Sequence, residues 1–198
     1  AARRRSAALS DWPVYLDHAA TTPVDPAVAA LMSELLTAPQ FIGNAAAGTH
    51  AYGREAAAVV SRARLQVAAL IGAQPEDVIF TSGATESDNL ALLGVMRANA
   101  DCGRHLVTSR TEHKAVTDAA KRLEKEGFAV SWLEPDREGI ISPAQLRAAL
   151  RPDTQLVSIM QANNETGVLQ DIAALGAICR EHDVLFHSDA AQSAALLA

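Results

Sequence analysis

Cysteine is nearly absent: Cys102 and Cys179 are the only two in 198 residues. One pair makes no disulfide framework, so a reducing, cytoplasmic setting is expected. Cys179 shares a helical stripe with Ile172 and Leu175, which assigns it to a core. Cys102 sits in an Asp101-Cys102-Gly103 turn that would be exposed, and no motif marks it as a nucleophile. An excess of basic charge is also missing. Lys+Arg 17 against Asp+Glu 23 leaves a net charge of −6, which excludes a broad basic surface and with it nucleic acid as an expected partner. The longest basic run, Arg3-Arg4-Arg5, reads as a solvated tail, although its Arg/Ser/Ala character also suits a transit-peptide remnant. No apolar run is long enough to span a bilayer, so no membrane partner is expected, and no secretory leader is read. Aromatics make up only 4% while apolar residues reach 49%, so alanine carries much of the apolar count and favours helices.

What is present is an alternation of two periods. A chain of this length buries a real core, and one domain, or one domain plus part of another, is expected. Asp25-Pro26 reads as an N-cap with proline at the first helical position, opening a helix to about Leu36. A loop of small residues, Gly43 to Gly48, precedes a helical stripe of Val60, Ala63, Val67, Leu70 and Ile71. Val78-Ile79-Phe80 reads as a short buried strand running into Thr81-Ser82-Gly83-Ala84-Thr85 and a further helix. Strands are then expected at His105–Thr108, Phe128–Leu133, Leu156–Met160 and Val184–Phe186. Between them fall helices lined by Val116, Ala119, Ala120 and Leu123, opened by a Ser142-Pro143-Ala144-Gln145 capping box, and spanning Ile172–Cys179. This pattern predicts an α/β fold with a mainly parallel sheet flanked by helices. In such sheets ligands bind beyond the carboxyl ends of the strands, so the loops after Phe80, Thr108, Met160 and Phe186 are the places to look.

Each of those loops offers one chemical group and one bland alternative. After Phe80, Gly83 permits close approach of backbone, and the N–H groups near Ala84 and Thr85, with the Thr85 hydroxyl, suit a phosphate; a plain helix cap fits equally. The loop lacks the Gly-Lys pair of a Walker A sequence and the glycines of a dinucleotide fingerprint. After Thr108, His113 could stack on a flat ring and shuttle protons, or be a structural histidine. After Met160, Asn163 and Asn164 could shape a turn, or one could reach a ring substituent. After Phe186, Asp189 ends an apolar strand, where a carboxylate needs a cation or donors; a protonated pyridine nitrogen qualifies, and so does a helix N-cap role. Gln192 could donate to a ring oxygen. A phosphate seat, a ring stacker and a carboxylate on one sheet edge are what a pyridoxal cofactor needs.

Longer stretches carry a resemblance. Tyr15 to Pro23, Thr81 to Asn89, Thr111 to Val116, Asn163 to Val168 and His187 to Ser193 resemble, in order, motifs of the cysteine desulfurases of the class V aminotransferase family. The resemblance covers Val14 to Ser193. It implies the large domain of fold-type I pyridoxal-phosphate transferases, C-terminally incomplete, with 1–13 a tail, 14–40 a segment joining a small domain, and 41–198 the incomplete cofactor-binding domain. It implies that Ala84 and Thr85 hold the cofactor phosphate and that His113 stacks on the ring and assists proton transfer. Asp189 would pair with the pyridinium, Gln192 would contact the ring hydroxyl, and Asn164 would lie beside it. It implies pyridoxal 5'-phosphate as cofactor, L-cysteine as substrate, a homodimer, and sulfur-acceptor scaffold proteins as partners. The sulfur would serve iron–sulfur clusters or tRNA thiolation. A selenocysteine lyase, another class V aminotransferase or a non-catalytic fragment are the alternatives. The family shows Asn-Pro where this chain has Asn44-Ala45, and polar residues at Ala46 and Ala47. Its Schiff-base lysine and persulfide-forming cysteine lie past Ser193, and none of Lys114, Lys121 and Lys125 matches that lysine. The chain alone is therefore expected to be inactive and prone to aggregate.

Overall fold

The computed structural model describes residues 13–194; the Arg3-Arg4-Arg5 run, the rest of the expected tail before residue 13, and Ala195 to Ala198 lie outside the described residues. Among the described residues, six α-helices and four strands follow one another, with two short 3-10 turns between them. The helices are α1 (Pro26–Thr37), α2 (Ala51–Ile71), α3 (Ala84–Ala98), α4 (Lys114–Lys125), α5 (Pro143–Ala149) and α6 (Ile172–Glu181). The strands are β1 (His105–Ser109), β2 (Ala129–Leu133), β3 (Thr154–Ser158) and β4 (Leu185–His187).

The four strands form one parallel sheet in the order β2-β1-β3-β4. Successive side chains alternate faces, so Leu106 and Leu156 point to one side while Val107 and Val157 point to the other. The first face is covered by α3 and α4 through Leu92, Met96, Val116, Ala119, Ala120 and Leu123. The second is covered by α5 and α6 through Leu146, Leu175, Ile178 and Cys179. The central strands β1 and β3 are buried along their whole length, as expected of strands covered on both faces. Cys179 is buried, which pushes its thiol up to about 11, and Cys102 is exposed.

Helix starts follow local chemistry. The Asp25 carboxylate accepts from the Ala27 N–H at 2.8 Å, with Pro26 at the first position. The Ser142–Gln145 capping box is formed in both directions. The loop of small residues packs onto the start of α2, where a Cβ on Gly43 or Gly53 would collide with backbone of Tyr52 or Ala47.

One expected strand is absent. Residues 78–80 are extended but unpaired; Val78 is buried, while Ile79 is 69% and Phe80 49% exposed. A strand needs a partner's backbone N–H and C=O groups, and among the described residues no strand pairs with these; Arg64 of α2 instead donates to the Val78 carbonyl and lies over the Phe80 ring. Their apolar composition mimics a core strand because composition does not encode the neighbour.

The order of strands fixes where a crevice opens. From β1 the chain crosses to β2 on one side, then returns past β1 to β3 on the other. The β1/β3 junction is thus the topological switch point, and ligands of such sheets bind there, beyond the carboxyl ends.

Candidate functional site

A cavity of about 550 Å3 lies at that junction. Its wall includes Ala84 from the start of α3, His113 after β1, Asn164 after β3, Asp189 and Gln192 after β4, and the Asp17–Ala20 stretch of the N-terminal segment. Five of the six residues expected from sequence therefore meet in one space. Thr85 does not: it is exposed and off the cavity wall, and its carbonyl accepts from the Asn89 side chain.

The α3 start is open. Its N-cap, Gly83, has no side chain, so no side-chain acceptor covers the first N–H groups of the helix. The loop's appetite for anions is visible in its own contacts. The Glu86 carboxylate takes the Ser82 hydroxyl at 2.5 Å and the Ser82 N–H at 2.7 Å, and these two bonds hold the Glu86 carboxyl below its usual range. Backbone donors, a helix dipole and an uncapped end together suit a phosphate.

His113 is the N-cap of α4, and its Nδ1 accepts from the Ala115 N–H at 3.2 Å. A neutral ring with that contact carries its proton on Nε2. The two asparagines divide their work. Asn163 shapes the turn: its Oδ1 accepts from the N–H groups of Glu165 and Thr166, and its amide donates to the Thr111 carbonyl at 2.8 Å. Asn164 is the one left to face the cavity. The Gln192 amide donates to the Ala19 carbonyl at 3.0 Å, tying the N-terminal segment to the rim.

Asp189 is buried at 8% exposure and accepts from the Ala191 N–H at 3.0 Å. Residues 191–194 form a turn in which the Ala194 N–H donates to the Ala190 carbonyl at 3.0 Å. Among the described residues, no lysine or arginine forms an ion pair with it. A buried carboxylate facing a cavity without a basic partner calls for a cationic ligand. A pyridoxal ring, with an anionic phosphate at one end and a protonated nitrogen at the other, fits an uncapped helix start and a buried carboxylate on one wall. No lysine lines this cavity.

Three polar groups escaped the sequence reading. Asp88 lies on the inner face of α3 with Leu92 and Met96, at 3% exposure. Burial, then the nearby Asp189, pushes its carboxyl up to about 6. Glu112 is buried beside His113; its Oε1 accepts from the Met160 N–H at 2.9 Å, and burial pushes it up to about 8. His187, half-buried at the end of β4, pairs through Nδ1 with the Ser158 hydroxyl at 2.9 Å. The usable signal was a carboxylate at i with apolar residues at i+4 and i+8 in α3, which is costly on a core face.

A second cavity of about 630 Å3 lies at the opposite ends of the strands, bordered by Arg147, Arg151, His182 and Cys102. Arg147 is already paired with Glu181 and Arg151 with Asp153, so its charges are satisfied within the chain. Size therefore points to one end of the sheet and unmet chemistry to the other.

Known proteins share both sequence and fold with this chain. It is 55% identical over 185 residues to cysteine desulfurase IscS of Shewanella halifaxensis, across 93% of this chain and 46% of that protein. Among solved structures, "SspA in complex with cysteine" superposes with a TM-score of 0.84 at 39% identity, covering 90% of this chain and 51% of the other. DndA from Streptomyces lividans superposes at 0.79 with 45% identity, covering 91% and 50%. The chain thus spans about half the length of the relatives it matches. Residues 14–196 match the aminotransferase class-V family, and the chain belongs to that family.

Proposed function

We propose that this chain carries the pyridoxal 5'-phosphate seat of a cysteine desulfurase, an enzyme that turns L-cysteine into L-alanine while a cysteine thiolate of the enzyme takes the sulfur. The observation that carries the reading is the buried Asp189 facing the switch-point cavity with no lysine or arginine partner among the described residues, in the same cavity as the uncapped start of α3. The sequence identity to cysteine desulfurases and the fold shared with a structure named for bound cysteine favour this substrate.

The bound cofactor would supply an electron sink next to the substrate's reacting carbon. The chain's own residues would do the rest. The α3 start, at Ala84 and Thr85, would hold the phosphate through backbone N–H groups. Asp189 would hold the protonated ring nitrogen. His113 would cover the ring face and present its Nε2 proton to the reacting groups. Asn164 and Gln192 would border the ring hydroxyl, Gln192 by exchanging its bond to Ala19 for one to the ligand.

Residues 14–40 would join a second, smaller domain, consistent with an α1 that has no buried residue, and 41–198 would belong to the cofactor domain. Exposed Leu31, Met32, Leu65 and Leu70 on α1 and α2 suit a homodimer contact. Sulfur delivery would go to a scaffold protein for iron–sulfur clusters or to a tRNA-thiolating partner. Two unpaired cysteines suit a cytoplasmic setting. Among the described residues, no helix is long and apolar enough to cross a membrane.

The test is a pyridoxal 5'-phosphate titration of the chain, read by cofactor absorbance. Saturable binding is expected, weakened roughly tenfold to a hundredfold in Asp189→Ala, the range for one charge-assisted contact. With no lysine on the cavity wall, borohydride should leave no adduct on Lys114, Lys121 or Lys125. Unchanged affinity in Asp189→Ala, or a stable lysine adduct, would overturn the reading.

A further inference from the structure

Behind the cavity wall sits a second carboxylate whose presence the seat alone does not explain. Asp88 projects from α3 into the same polar knot as Asp189 and His113, and one ligating atom of each lies within 4.8 Å of the other two. Asp88 is buried and does not line the cavity. Its Oδ1 stands 3.6 Å from Nε2 of His187, and its Oδ2 has no hydrogen-bond partner. Glu112 faces the knot from the other side, with its Oε2 also unpartnered. Among the described residues, no lysine or arginine pairs with Asp88, Glu112 or Asp189. A buried carboxylate oxygen without a donor lowers stability, so an apolar or amide side chain on this stripe of α3 would be the better structural choice.

We propose that Asp88 is a positioning residue that acts through Asp189 and His113 to make the cavity select a ligand whose aromatic ring carries a protonated nitrogen. The proposal rests on the cofactor-seat reading and deepens it. With a second carboxylate behind Asp189, the site rewards a positive charge at that point more than Asp189 alone would. The groups facing Asp88 from neighbouring elements are His187 on β4, His113 at the start of α4, Glu112 after β1 and Asp189 after β4. Burial holds His187 below its usual range, so at neutral pH it is neutral and does not cancel the Asp88 charge. With its carboxyl near 6, Asp88 is ionised at pH 7.5 and neutral at pH 5, whereas Glu112, near 8, stays largely protonated at both.

The experiment compares two ligands on the unmodified chain and on Asp88→Asn. One is pyridoxal 5'-phosphate; the other is its 1-deaza analogue, in which C–H replaces the ring nitrogen. The unmodified chain is expected to prefer the nitrogen-bearing ring, and Asp88→Asn to lose about tenfold in that preference while keeping its affinity for the analogue. The preference should also fall between pH 7.5 and pH 5 in the unmodified chain and stay flat in the variant. Thermal melting should place Asp88→Asn at or above the unmodified chain. If both ligands weaken together, or melting drops, Asp88 is structural and the proposal is overturned. If the variant keeps its preference, the proposal falls and the seat stands; if the unmodified chain binds both ligands equally, Asp189 does not read the ring nitrogen and both readings fall. If the unmodified chain binds neither, the seat reading falls and takes the proposal with it. Should the variant not fold, the pH dependence of the preference in the unmodified chain decides alone.

Discussion

The two parts of this chain obey different rules. From residue 13 to 80, the buried residues are Gly53, Ala68 and Val78 alone, and α1 has none. From Ala84 to Ser193, the strands β1 and β3 are wholly buried and four helices cover both faces. Both parts are rich in alanine and both form helices. What separates them is tertiary partnership. In the first part, local chemistry suffices to define the element: the Asp25 cap, the His50 side chain accepting from Gly53, and Gly72 with its positive φ of 67° closing α2. In the second, packing through long-range parallel pairing defines it.

The sharpest way to break this contrast is to delete the same side chain in each part. Leu92→Ala, at 0% exposure under the sheet, should cost about 2–5 kcal/mol in urea unfolding. Leu36→Ala, 78% exposed on α1, should stay within about 0.5 kcal/mol. Comparable losses at the two positions would mean that α1 is covered by another molecule in solution.

A smaller effect sharpens the same contrast through pH. Every carboxylate of residues 13–80 is exposed, whereas Glu112 is buried and pushed up to about 8. A carboxyl raised on folding binds more protons in the native state, so its contribution is full below its unfolded value of about 4.5 and fades as pH rises through about 8. Stability should therefore fall between about pH 5 and pH 8, and Glu112→Gln should flatten the slope. The change should be on the order of 2 kcal/mol, since local relaxation keeps it below the full linkage value. A variant whose stability still falls as steeply over that interval would place the titration elsewhere.

The parallel sheet and the site loops were legible because both depend on residues close in sequence: apolar runs, capping boxes, and a polar cluster just past each run. What escaped depends on neighbours. Residues 78–80 have the composition of a core strand, but no described strand pairs with them, and Arg64 of α2 meets them instead. Asp88 looks like a solvated helix residue until α3 is laid against the sheet, when its spacing from Leu92 and Met96 turns it inward. Gln192 reads as a ligand contact, yet its amide meets Ala19, 173 positions earlier. Thr85 sits in the right motif but one residue round the helix from the wall, where Ala84 stands.

Unmet chemistry, and not cavity size, marks the proposed functional end of the sheet. Hydrogen exchange with mass-spectrometric readout, with and without pyridoxal 5'-phosphate, tests this most directly. Slowed exchange is expected only at residues 81–86, 111–115, 161–167 and 188–193 and at the Asp17–Ala20 rim, with the helices of residues 13–80 unchanged. Protection centred on residues 147–155 and 182–185, around the larger cavity, would contradict it.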